Sequence, residues 1–113
     1  LVRDVLKNTL EREGLNVLTA HSGDEALELL KAHKVNIIIS DIHMDGLSGM
    51  ELLIYVKAHY EDIPVLMITG HTGKYDKSDV ISAGADGYIT KPFKNKEIIR
   101  TIKSILNKSY SKI

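Results

Sequence analysis

Three residues of this chain could together handle a phosphoryl group. Asp41 closes the run Val35-Asn36-Ile37-Ile38-Ile39-Ser40-Asp41. Thr69 closes Pro64-Val65-Leu66-Met67-Ile68-Thr69 and precedes Gly70, and Lys91 follows Asp86-Gly87-Tyr88-Ile89-Thr90 and precedes Pro92. A carboxylate can attack phosphorus and form an acyl phosphate. An ammonium can neutralise the charge gained, and a hydroxyl can donate to a phosphoryl oxygen. Gly70 has no side chain, so such a group can approach the backbone closely there. Singly, each residue has a plainer account. Asp41 could cap the turn after a strand; Thr69 could merely pack, Lys91 could be a solvated charge, and Tyr88 a half-buried strand aromatic. The chemistry depends on a fold that brings them to one place.

The apolar pattern supplies such a fold. Val2, Val5, Leu6 and Leu10 form one helical stripe, and Gly14 follows as a stop signal. Leu15 to Ala20 reads as a short strand. Ser22 with Glu25 forms a capping box ahead of a helix whose apolar face is Ala26, Leu27 and Leu30. The isoleucine run to Asp41 fits a strand buried on both faces of a parallel sheet. A helix is expected from Gly49 to His59 with Leu52, Leu53 and Val56 inward, then a strand from Pro64 to Thr69, where the missing N–H of Pro64 costs little at the strand start. A weak helix from about Asp76 to Ala83 ends at Gly84. Asp86 to Thr90 is a strand, and a last helix from Asn95 buries Ile98, Ile102, Ile105 and Leu106. Helices and strands in strict alternation imply right-handed crossovers and one parallel sheet covered on both sides, an α/β fold. In such a sheet ligands bind beyond the carboxyl ends of the strands, where Asp41, Thr69 and Lys91 all fall.

Composition excludes several alternatives. With 113 residues the chain fits one small domain. Its 15 lysines and arginines balance 15 acidic residues with no basic block, which argues against a nucleic-acid surface within the chain. No apolar run approaches a membrane span, and the N-terminus lacks the organisation of a signal peptide, so a cytoplasmic location is expected. There is no cysteine, hence no disulfide or thiolate metal site. The 5 histidines form no metal-binding pattern, with His33 and His59 expected as exposed helix-end residues.

The segments Ser40-Asp41-Ile42-His43-Met44-Asp45-Gly46-Leu47-Ser48-Gly49-Met50-Glu51-Leu52, Ile68-Thr69-Gly70-His71 and Gly84-Ala85-Asp86-Gly87-Tyr88-Ile89-Thr90-Lys91-Pro92-Phe93 resemble, in order and spacing, the receiver domains of two-component response regulators. The resemblance covers the whole chain. It implies a flavodoxin-like doubly wound sheet with strand order 2-1-3-4-5. It further implies that Asp41 accepts a phosphoryl group from a histidine kinase or phosphotransfer protein, and that Thr69, Gly70 and Lys91 contact that group. Tyr88 would turn inward behind Thr69, Lys91-Pro92 would be a cis peptide, and magnesium would bind Asp41 and the backbone carbonyl of His43. The fourth helix, last strand and last helix would then form the output face, toward an effector domain or a second copy. Such a domain is a signalling module and not an enzyme in its own right. His43 and His71, two residues past Asp41 and Thr69, could slow hydrolysis of the acyl phosphate, although solvated loop histidines are the simpler reading.

The chain departs from the family pattern at two places. Asp45 stands where proline is usual. The family's first strand, which ends in two magnesium-binding acidic residues, has no counterpart before Leu1, and Asp4 lies within the first helix. The expectation is therefore an N-terminally incomplete receiver with weak magnesium affinity. The alternative is a degenerate receiver that acts as an interaction module without phosphorylation. A metal-dependent hydrolase is a distant third, because one carboxylate beside one lysine lacks a second metal ligand or a general base.

Overall fold

The computed structural model describes residues 2–41, 49–69 and 77–110. The chain runs α1 (Val2–Arg12), α2 (Gly23–Ala32), β1 (Ile38–Asp41), α3 (Gly49–His59), β2 (Val65–Thr69), α4 (Lys77–Ser82), β3 (Gly87–Thr90) and α5 (Asn95–Tyr110). Local chemistry explains the helix ends. The Ser22 side chain accepts the Glu25 backbone N–H at 3.1 Å, which is the serine half of the expected capping box, and Asp24 and Glu25 complement the positive end of α2. Gly14 and Gly84 take positive φ after α1 and α4, a conformation that favours glycine. His33 and His59 are exposed at the ends of α2 and α3, as expected.

The three strands form a parallel sheet in the order β1-β2-β3, with Ile38 opposite Val65 and Leu66 opposite Gly87. Strand side chains alternate between faces, so β2, buried at every position, feeds two cores. Val65 and Met67 pack with Leu30, Leu53, Val56 and Val80, from α2, α3 and α4. Leu66 and Ile68 pack with Ile89 and with Leu10, Ile98, Ile102 and Ile105, from α1 and α5. The expected apolar faces of α3 and α5 thus face the cores, with Leu106 of α5 only half-buried.

Three strand readings of the sequence differ from the structure. Residues 15–20 form no strand. Leu15 and Val17 pack against the second core, but a strand is defined by ladder bonds to a neighbour, and among the described residues β1 is paired with β2 alone. The expected order 2-1-3-4-5 is therefore represented by its last three strands. The isoleucine strand is also shorter than Val35 to Asp41. Ile38 N–H donates to the Pro64 carbonyl at 3.0 Å, and Pro64 has no N–H with which to extend the ladder backward. The same proline stays outside β2, which begins at Val65.

Candidate functional site

The carboxyl ends of the three strands carry the site. Register sets Asp41 opposite Ile68, one residue short of Thr69, and Thr69 opposite Thr90. Beyond β3 the Lys91 N–H donates to the Thr69 carbonyl at 2.8 Å, so the lysine starts from a fixed backbone position at the sheet edge. Its ammonium reaches across to Asp41 Oδ2 and forms an ion pair and hydrogen bond with it, joining residues 50 apart in sequence. The two side chains are 38% and 32% exposed, so the pair sits at the surface but is not fully solvated. Ser40, beside Asp41, is buried, and its hydroxyl donates to the Asp41 carbonyl at 3.0 Å.

Thr69 is completely buried, so its hydroxyl lies behind the rim of the sheet rather than on it. Tyr88 is half-buried two residues before Thr90 and packs against the core under α2, α3 and α4. The Lys91-Pro92 peptide is cis, as the resemblance implied. The structure therefore brings Asp41 and Lys91 into contact, with Thr69 buried beside them and one register position further along the sheet. Gly70, His43 and His71 lie outside the described residues, as does Asp45.

Magnesium binds a near-octahedral set of oxygens. Among the described residues Asp41 offers its carboxylate, which Lys91 engages, and no group of three or more His, Asp or Glu side chains converges. The described side chains do not by themselves make a magnesium site.

A second cluster was not anticipated from sequence. At the amino end of the sheet, Asp86 Oδ2 accepts from Lys57 Nζ at 2.5 Å and from the Val65 N–H at 2.8 Å, while Lys57 Nζ also donates to the Ile63 carbonyl at 3.1 Å. A lysine in the last turn of a helix and an aspartate before a strand give no local sign that they meet.

The response regulator receiver domain family matches residues 1–103. A transcriptional regulatory protein of Bacillus subtilis, YvrH, is 39% identical over 108 residues, which is 95% of this chain and 45% of YvrH. The chain thus spans less than half the length of that curated relative. The receiver domain of NtrX from Brucella abortus superposes with a TM-score of 0.88 at 31% identity, covering 94% of this chain and 90% of that one. A CheY-like receiver protein from Methanospirillum hungatei gives a TM-score of 0.92 at 28% identity, covering 99% and 90%. The chain belongs to the response regulator receiver family, with the flavodoxin-like fold of its relatives, and is the receiver domain of a two-component response regulator. Among the described residues no helix is long and apolar enough to cross a membrane.

Proposed function

We propose that this receiver is a phosphoacceptor and that Asp41 is the residue modified. The observation that carries the reading is the contact between Lys91 and Asp41 at the carboxyl end of the sheet. It joins the one strand-end carboxylate of β1 to a cation held by the backbone of a strand two places away. In the proposed reaction, Asp41 attacks the phosphorus of a phosphohistidine on a sensor kinase or phosphotransfer protein. A P–O bond forms, the P–N bond breaks, and the electron pair returns to the imidazole nitrogen, which takes a proton. Lys91 would stay paired throughout, exchanging a carboxylate oxygen for a phosphoryl oxygen.

The hydroxyl of Thr69 would then donate to the new phosphoryl oxygen, and Tyr88 would repack into the space behind it. Both residues belong to β2 and β3, so this local change biases two states of the surface formed by α4, β3 and α5. An effector domain or a second copy would read that surface. Gly70 would admit the phosphoryl group to the backbone. His43 and His71 would retard the water that hydrolyses it. Receiver domains generally use magnesium, and Asp41 with the His43 carbonyl would contribute to holding it here.

The test is incubation with a small phosphodonor and magnesium, followed by intact mass measurement. One phosphoryl group should be added to the wild type and none to Asp41→Asn. Undiminished labelling of Asp41→Asn would place the acceptor elsewhere. A wild type that stays unmodified would assign the domain to phosphorylation-independent protein interaction.

A further inference from the structure

We infer that the groove between α2 and α3 is a docking site for a cationic amphipathic segment of a partner protein, separate from the phosphoryl site and from the α4–β3–α5 face. The groove has a volume of about 290 Å³ and is lined by Asp24, Glu25, Leu27, Glu28, Tyr55 and Tyr60, with Lys31 at its rim. Lys31 pairs with Glu28 at 3.3 Å, and among the described residues lining the groove it is the one lysine beside three acidic side chains. The helix dipole accounts for Asp24 and Glu25 in the first turn of α2. It does not account for Glu28 a turn later, nor for the two phenol rings on the opposite wall.

The opposite wall carries the second observation. A surface helix normally has one apolar stripe and one polar face. α3 instead keeps apolar residues on its outward side: Ile54 is 55% exposed and Tyr55 is 38% exposed. Tyr55 is also held in place, its ring stacked on His59 at 4.1 Å between centroids. Rigid aromatic side chains bind at low entropic cost. The acidic wall of α2 faces α3 across the groove at Tyr55, which lines the groove and is itself exposed.

The chemistry of the occupant follows from the two walls. Carboxylates beside phenol rings suit guanidinium groups, which pair with the first and stack on the second. Exposed Ile54, beyond the groove lining on α3, suits an aliphatic side chain next to those guanidinium groups. An amphipathic helix with arginines flanking leucines supplies both, whereas a small cation would leave Ile54 uncovered.

The experiment uses the full chain, isotope-labelled, titrated with a synthetic amphipathic helix that carries arginines beside one leucine stripe. A second peptide has every arginine replaced by glutamate. Amide shifts should be confined to α2 and α3, and added salt should weaken binding. The double variant Glu25→Gln/Glu28→Gln and the single variant Tyr55→Ala should each lower affinity by about tenfold or more. All three positions are exposed, and labelling at Asp41 should be unchanged in these variants. Shifts that map to α5, equal binding of the glutamate peptide, or unaltered affinity in both variants would overturn the inference. The same shifts on concentrating the protein without peptide would assign the groove to a second copy and would also overturn it.

Discussion

The two ends of the sheet each hold a lysine–aspartate pair, and the pairs are built differently. At the amino end, Asp86 bonds both Lys57 and the Val65 N–H, and Lys57 also bonds the Ile63 carbonyl. That pair ties α3, the start of β2 and the start of β3 together through backbone groups that any opening would leave unsatisfied. At the carboxyl end, Lys91 and Asp41 meet side chain to side chain across the sheet. The residue types are the same, but Asp86 bonds a strand N–H as well as its lysine, whereas the contact of Lys91 with Asp41 spans the rim of the sheet. Under the proposed function, in which Asp41 is modified and stays paired, the second arrangement serves better. A long lysine can follow the charge as it moves outward, whereas a backbone N–H cannot.

The comparison can be broken by mutation, and the amino end should respond most in stability. Asp86→Ala removes the acceptor of two charge-assisted hydrogen bonds and strands the N–H of buried Val65. It is expected to cost about 2–3 kcal/mol in urea unfolding. A loss no larger than that of Lys91→Ala would show that the two pairs are equivalent after all.

Gly84→Ala should come next. Its φ of +108° is strained for alanine, and a Cβ there would come within 3.0 Å of Lys57 Cγ, so the change disturbs the same cluster from its turn. A destabilisation of about 1–2 kcal/mol is expected by thermal melting, and an unaffected melting temperature would mean that the turn relaxes without moving Lys57.

Lys91→Ala should have the smallest effect on the fold. Part-exposed ion pairs of this kind typically contribute less than about 1 kcal/mol, so unfolding should shift little. What should change is the response: phosphorylation of this variant would no longer alter affinity for a partner of the α4–β3–α5 face, measured by titration before and after labelling. A variant that switches normally would remove Lys91 from the proposed mechanism.

Much of this architecture was legible in the residues themselves. Gly49 to His59 appears as a helix with the expected limits, because Leu52, Leu53 and Val56 repeat at helical spacing and a glycine opens the run. Strand-end positions were legible too, because β-rich apolar runs stop abruptly at Asp41, Thr69 and Thr90. Period and propensity are local, and local signals survive in a one-dimensional string. Leu15 to Ala20 shows the limit. Its short apolar run reads as a strand, yet a strand needs a partner, and pairing is a relation between distant segments.

Sequence placed a carboxylate, a hydroxyl and an ammonium at strand ends. Tertiary structure decided that Lys91 touches Asp41 while Thr69 sits fully buried behind them. It also decided that Lys57 finds Asp86 29 residues away, and that Tyr55 faces the acids of α2 across a groove. These contacts follow from strand register and from the packing of helices on the two faces of the sheet. Both are set by the collective fit of the cores, and no short stretch of sequence encodes them.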